Sequence, residues 1–257
     1  MIIVNADDFG FTVGVTDGII KAYKDGIVTH TSIMANGLDF DRSIECAKNE
    51  VGLKVGVHLV ATWGKPILRN NKKSTLINDQ DGRFFTLKHL ILRLIFGQIK
   101  KNDILIEWEE QIKKVYRAGI KIDHLNSHHH IHMLPVFNDV VYVLAKKYNI
   151  KSVRVTKEKV GKKDRAGVFI KKLIFIALDF FRGRNGVYNF HGLSLQSSKN
   201  YKNDLIAILK TMSDNSELMV HPGFVDNELL NEDIMNYSRE HELKNIADYD
   251  VIKALKG

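Results

Sequence analysis

A single cysteine among 257 residues, Cys46, rules out an internal disulfide. It lies within Phe40 to Asn49, a stretch with helical spacing whose Ile44, Cys46 and Ala47 are expected to pack inside. Cys46 therefore reads as a core filler rather than a nucleophile. No uncharged run is long enough to span a bilayer, since the most apolar segment, Leu173 to Phe181, is short and flanked by charges. Met1-Ile2-Ile3-Val4 leads at once into Asn5-Ala6-Asp7-Asp8 with nothing resembling a signal peptide, and the cytoplasm is the expected compartment. There is no Gly-rich phosphate loop, no nucleophile elbow and no cysteine pair, so the chemistries built on those motifs lack their residues. Internal repeats and low-complexity segments are also missing.

At 44% hydrophobic, the chain has material for a full core, and its length suits one α/β domain over residues 1–257. The net charge of +8 could suggest nucleic acid, but much of it sits in one piece. Lys157 to Arg184 carries nine basic and three acidic residues, a net of +6. Charge alone is a weak argument for a nucleic-acid partner, and none is expected.

Five of the eleven histidines fall within Asp123 to His132, in the run His124-Leu125-Asn126-Ser127-His128-His129-His130-Ile131-His132. In an extended segment His128, His130 and His132 would project from one face and His129 from the other. So dense a cluster in mid-chain, far from where a purification tag would lie, points to a divalent metal ion, because neutral imidazole is its commonest protein ligand. Not all five can be ligands, and some are expected to fix ring orientation from behind.

Other segments carry chemistry to the same place. Ile2-Ile3-Val4 is a β-branched run that stops at Asn5-Ala6-Asp7-Asp8-Phe9-Gly10, so two adjacent carboxylates follow the strand, where the bland alternative is a helix-capping turn. Helices are expected over Val15 to Tyr23 and Phe40 to Asn49, and strands over Thr29 to Met34 and Leu53 to Val60. The latter places His58 near its C-terminal end. From Thr62 to Thr86 the pattern breaks, and a loop this long in a compact domain is either disordered or a functional lid. Trp63, Phe84 and Phe85 favour a lid, with aromatic rings suited to stacking on a sugar.

Leu87 to Phe96 and Ile104 to Ala118 read as helices, and Ile120-Lys121-Ile122 as the strand entering the histidine cluster. Val136 to Lys147 is a further helix. Ser152 to Val155 is a strand that delivers Arg154, an arginine able to lock a carboxylate by a bidentate contact. Arg165 to Phe181 has helical spacing and a basic face, read chiefly as an ordinary surface helix, with weak membrane-surface contact or a homodimer face as the alternatives. Asn203 to Met212 is helical, and Ser216 to Val220 is a strand running into His221. Alternation of strand and helix throughout argues for a (β/α) barrel, distorted or with seven strands.

Strand C-termini in such a sheet converge, so one rim would hold Asp7, Asp8, His58, His128 and its neighbours, Arg154 and His221. One carboxylate and two imidazoles make a three-ligand metal site with room for water or substrate. The other carboxylate can then serve as general base and a histidine across the site as general acid, a set suited to hydrolysis of an amide or ester.

These residues resemble the YdjC-like carbohydrate deacetylases, which are similar in site design to the polysaccharide deacetylases. The similarity rests on Val4-Asn5-Ala6-Asp7-Asp8-Phe9-Gly10, Gly26-Ile27-Val28-Thr29, Gly56-Val57-His58-Leu59, Gly64-Lys65-Pro66, Asp123 to Met133, and His221-Pro222-Gly223-Phe224-Val225-Asp226. The resemblance implies metal ligation by Asp8, His58 and His128, with magnesium or zinc as the ion. It implies Asp7 as base, Arg154 as its orienting partner, His221 as acid, and Asn126, His130 and His132 as supports behind the ligands. Asn126 stands where the chitooligosaccharide enzyme carries Asp, so it would orient a ligand histidine through its amide oxygen. The implied activity is removal of an acetyl group from an acetylated amino sugar, with Trp63 and Phe84 against the sugar. A sugar-binding or regulatory protein on the same fold is the alternative.

Overall fold

The computed structural model of the protein describes residues 2–68, 74–161, 164–180, 190–214, 216–232 and 238–256. The chain opens with β1 (Ile3–Phe9), α1 (Val13–Asp25), β2 (His30–Ile33), α2 (Phe40–Asn49) and β3 (Lys54–Leu59). After the long loop come α3 (Leu87–Ile95), α4 (Lys101–Arg117) and β4 (Ile122–Ser127), then a 3₁₀ turn over His128–Met133. The second half contributes α5 (Phe137–Lys147), β5 (Ser152–Val153), α6 (Ala166–Phe180), β6 (Phe190–His191), α7 (Tyr201–Thr211) and β7 (Glu217–Val220). Three short helices close it: α8 (Asn227–Glu232), α9 (Arg239–Ile246) and α10 (Tyr249–Lys256).

The seven strands form one sheet in the order β5-β4-β3-β2-β1-β7-β6, and every pair is parallel. The sheet curls into the expected seven-stranded, distorted (β/α) barrel, and among the described residues its edges β5 and β6 do not pair, so the barrel is partly open. Parallel strands leave all their C-terminal ends on one rim, which is what gathers the site.

Alternation along the strands divides the sheet into two chemically different faces. Val4, Ala6, Ile33, Val55, Val57, Leu59, Leu125, Leu218 and Val220 belong to the main apolar core with the helices. The intervening positions, Asn5, Asp7, Ser32, His58 and Asn126, are buried as well but polar, and they hydrogen-bond to one another across the strands. Burying polar groups without partners is costly, so this second face is stable only as a connected network.

Several boundaries differ from the sequence expectation. Strand β1 continues to Phe9 rather than stopping at Val4, because Asn5, Asp7 and Asp8 all find partners inside the fold. Strand β6 and the three C-terminal helices carry no pattern that announced them. Part of the expected basic face of α6 is turned inward: Lys172 is buried, paired with Glu158 at 2.9 Å and Asp164 at 3.0 Å. Of the basic segment over 157–184, residues 162–163 and 181–184 lie outside the described residues, as do residues 69–73 of the expected lid.

Helix α1 lies against the loop that follows β7, with the Phe224 N–H donating to the Gly14 carbonyl at 2.9 Å and Asp226 Oδ2 accepting from the Gly14 N–H at 2.6 Å. A Cβ at Gly18 would stand 2.4 Å from the Cα of Gly223. In an exposed helix Gly→Ala gains about 1 kcal/mol, but here backbone must move, and overpacking costs about 1–3 kcal/mol. Gly18→Ala is therefore expected to lower the urea-unfolding midpoint, and a midpoint raised above that of the parent would show that the close approach is not enforced.

Candidate active site

The register of the sheet sets the first pairing. His58 lies directly opposite Asn126 across β3 and β4, and the His58 Nδ1 and Asn126 Oδ1 atoms are 2.8 Å apart. An amide oxygen can only accept, so Nδ1 donates to it and Nε2 is the nitrogen presented to Asp8 or to an ion. That Nε2 stands 3.2 Å from Asp8 Oδ1, and His128 Nδ1 reaches the same oxygen at 3.2 Å. Ligand atoms of Asp8, His58 and His128 all lie within 4.8 Å of one another. Two imidazoles and a carboxylate, one imidazole held in its tautomer by an amide oxygen, suit a divalent ion.

Asp8 could not join Asp7 on the polar face of a regular strand, since neighbouring side chains point to opposite faces. Here the pairing register of β1 with β2 shifts between Ala6 and Phe9, and Asp8 has φ of 71°. This left-handed conformation is uncommon outside glycine, although Asp tolerates it better than most, and it brings both carboxylates to one cleft. The second oxygen of Asp8 accepts from Arg239 Nη2 at 2.7 Å. Burial alone would raise the Asp8 pKa, but the Arg239 charge and the two histidines hold it well below the usual carboxylate range.

Asp7 is held by different partners. Arg154 grips it in bidentate fashion, Nη1 to Oδ2 at 2.6 Å and Nη2 to Oδ1 at 2.7 Å, and also donates through Nε to Glu217 at 2.7 Å. Asn5 at 2.7 Å, Asn126 at 3.1 Å and Ser32 at 3.2 Å complete the donors around Oδ1. Burial again opposes ionisation, yet the Arg154 charge outweighs it, and the carboxyl sits far below its ordinary value.

The histidine run departs from the extended geometry expected of it. The chain leaves the sheet at Ser127 and folds into the 3₁₀ turn, with His129 and His130 at φ of 56° and 57°. Ser127 Oγ accepts from the His132 backbone N–H at 2.9 Å and closes the turn. His128, His130 and His132 consequently do not share a face. His132 is buried, its Nε2 donating to the Arg154 carbonyl at 3.0 Å, and burial pushes its pKa down to about 3. His130 packs between Phe175 and Phe190 at the cleft wall, where burial drives it well below its ordinary value. His129 faces the cleft, its Nδ1 3.0 Å from Thr62 Oγ1, and is pushed down to about 2 by burial and then by His128.

A cleft of about 580 Å³ is lined by Asp7, Asp8, His58, His128 and His221 together. His221 extends from the end of β7, its ring 3.0 Å from Gln196 Nε2 and its backbone N–H donating to Glu242 at 2.7 Å. Trp63 lines the cleft, edge-on to Phe11 at 4.5 Å and tied through Nε1 to Glu232 at 3.0 Å. Phe84 does not. It is buried in the main core, with its backbone N–H bonded to the Gly64 carbonyl, so its ring has no access to a ligand. Sequence reasoning missed Arg239, Glu217 and Gln196, none of which stands in a motif.

The family model described as YdjC-like protein matches residues 1–257. A carbohydrate deacetylase of Oceanobacillus iheyensis is 34% identical over 241 residues, 93% of this chain and 93% of its own. One of Thermoanaerobacter pseudethanolicus is 33% identical over 258 residues, covering 99% and 94%. Among solved structures, an Enterococcus faecalis protein assigned only provisionally to cellobiose-phosphate cleavage superposes with a TM-score of 0.78 at 25% identity, covering 99% of this chain and 93% of that one. With the family model matched from end to end, the chain belongs to the YdjC-like protein family.

Proposed function

We propose that the protein is a metal-dependent carbohydrate deacetylase that hydrolyses the N-acetyl group of an acetylated amino sugar and releases acetate. The observation that carries this reading is the meeting of the Asp8, His58 and His128 ligand atoms beside the Arg154-held carboxylate of Asp7. The relatives named carbohydrate deacetylase, alike over nearly the full length of both chains, support it.

A divalent ion, zinc or magnesium, held by Asp8, His58 and His128 would supply Lewis acidity toward the amide carbonyl and acidify a water. The chain's own groups do the rest. Asp7, ionised throughout the working range, accepts the proton of the attacking water, and Arg154 keeps its two oxygens fixed in orientation. His221 lies across the cleft and donates a proton to the departing amine nitrogen, without which the C–N bond would have to expel an amide anion. Arg239 holds one oxygen of Asp8 and leaves the other for the ion. Trp63 offers a flat apolar wall to the sugar ring.

The defining test is acetate release from N-acetylglucosamine oligomers by protein purified without a tag, loaded with zinc or magnesium, then stripped by chelation. Release that disappears on chelation and returns with metal is expected; none from a broad panel of acetylated sugars would sink the assignment. Elemental analysis separates the two aspartates. His58→Ala, His128→Ala and Asp8→Asn are expected to lose most of the bound metal, whereas Asp7→Asn keeps it and slows turnover by about 10²- to 10⁴-fold, the usual worth of a general base. His129→Ala should retain its metal.

The pH profile tests the Asp7–Arg154 pair. With its pKa depressed in the folded protein, Asp7 stays ionised until the pH falls below the ordinary carboxylate value near 4, so the acid limb of kcat/KM belongs below that point. Arg154→Met removes the countercharge and leaves the burial, which by itself raises the carboxyl. The acid limb, measured with metal saturating, is expected to move to higher pH. A limb that stays in place would show that Arg154 does not set the ionisation of Asp7.

A further inference from the structure

Helix α6 is inside out. Phe169, Ile170, Leu173, Ile174 and Phe180 recur at helical spacing and are 41% to 69% exposed, while its buried residues include Lys172 and Asp179. The charges of the segment are sorted in the same sense. All three of its acids are turned inward onto lysines: Glu158 and Asp164 onto Lys172, and Asp179 onto Lys157 at 3.0 Å. Lys159 and Arg165 are exposed. What remains outward is apolar and positive.

A second helix repeats this arrangement. On α3 only Leu90 is buried, and Ile91, Leu92, Ile95 and the following Phe96 are 37% to 73% exposed. The helix holds Lys88 and Arg93 and no acid. Both helices also line the catalytic cleft, α3 through Leu87 and Lys88, α6 through Lys171. Two apolar helices beside one opening, each edged with positive charge, are far more than the scattered surface hydrophobics of an ordinary monomer.

We infer that α3 and α6 form a docking surface for an anionic lipid bilayer, with the apolar side chains in the headgroup boundary and the basic ones against acidic lipid. A second copy of the chain would cover the apolar area but would bring like charges together, since the exposed ionised groups named here are all positive. An anionic bilayer complements both features. Among the described residues no helix is long and apolar enough to cross a membrane, so the contact is peripheral. On the deacetylase reading, the cleft then faces the headgroups, where an acetylated amino sugar carried on a lipid presents its amide.

The test is cosedimentation of the full chain with vesicles of phosphatidylglycerol and phosphatidylcholine, which needs no catalytic activity and so stands apart from the deacetylase reading. Pelleting with the mixed vesicles is expected, at least about tenfold weaker with phosphatidylcholine alone or at high salt, because the attraction is screened. Ile170→Ser with Ile174→Ser, and separately Ile95→Ser with Phe96→Ser, should each reduce it at unchanged circular dichroism. Arg165→Glu should do so with the apolar stripe intact. Absence of pelleting at low salt, or equal pelleting by all variants, overturns the proposal. So does a concentration-dependent dimer of the parent chain that the serine variants dissolve, which would make a second copy the occupant.

Discussion

The pair between Arg154 and Asp7 organises the polar half of the sheet. Each is buried, and neither would be tolerable alone: removing one partner from a buried ion pair leaves an uncompensated charge at a cost of about 3–5 kcal/mol. The pair joins β1 to the end of β5 across the strands that lie between them, and Arg154 reaches on to Glu217 of β7. Asn5, Ser32 and Asn126 fill the remaining positions around Asp7 Oδ1, and Asn126 passes the constraint to His58. One network therefore fixes the curl of the sheet, the ionisation of Asp7 and the ring orientation of His58. Such a network is stable only when its members are satisfied, which is why substitutions in it are expected to act on several properties at once.

Much of the site was legible because a parallel sheet turns strand endings into neighbours. Recognising where β1, β3, β4, β5 and β7 end was enough to bring Asp7, Asp8, His58, His128 and His221 to one cleft, with Arg154 buried behind Asp7, even though boundaries shifted by several residues. The polar face was also written in the strands, as the alternation Val55-Gly56-Val57-His58-Leu59 and His124-Leu125-Asn126 shows. Arg239 was not legible. It meets Asp8 across 231 positions, from a helix without any local signature.

Other departures share a cause: periodicity says which residues lie together but not what they lie against. The run from His128 to His132 is equally compatible with an extended strand and with a tight turn, and the Ser127 hydroxyl, which no spacing rule registers, decides for the turn. Phe84 and Trp63 have the same character in the sequence of the loop. One fell into the core beneath it and the other onto the cleft. For α6 the helical spacing was visible but not the side its apolar residues would take, and they lie outward because Glu158, Asp164 and the buried Lys172 claim the interior side.

The two adjacent aspartates show how one short sequence supplies two chemical environments. In a regular strand their side chains would point to opposite faces, and the metal ligand and general base proposed here could not come from consecutive positions. The register break in β1 and the left-handed conformation of Asp8 remove that obstacle at the end of the strand, where the ladder is about to stop and irregularity disturbs few hydrogen bonds. Their partners then divide the labour. Asp7 is gripped by Arg154 on both oxygens, with the neutral donors on Oδ1 alone, which leaves it charged and held, whereas Asp8 gives one oxygen to Arg239 and turns the other toward His58 and His128. Exchanging the two roles would require exchanging the arginines as well, and these come from different elements, the end of β5 and the start of α9.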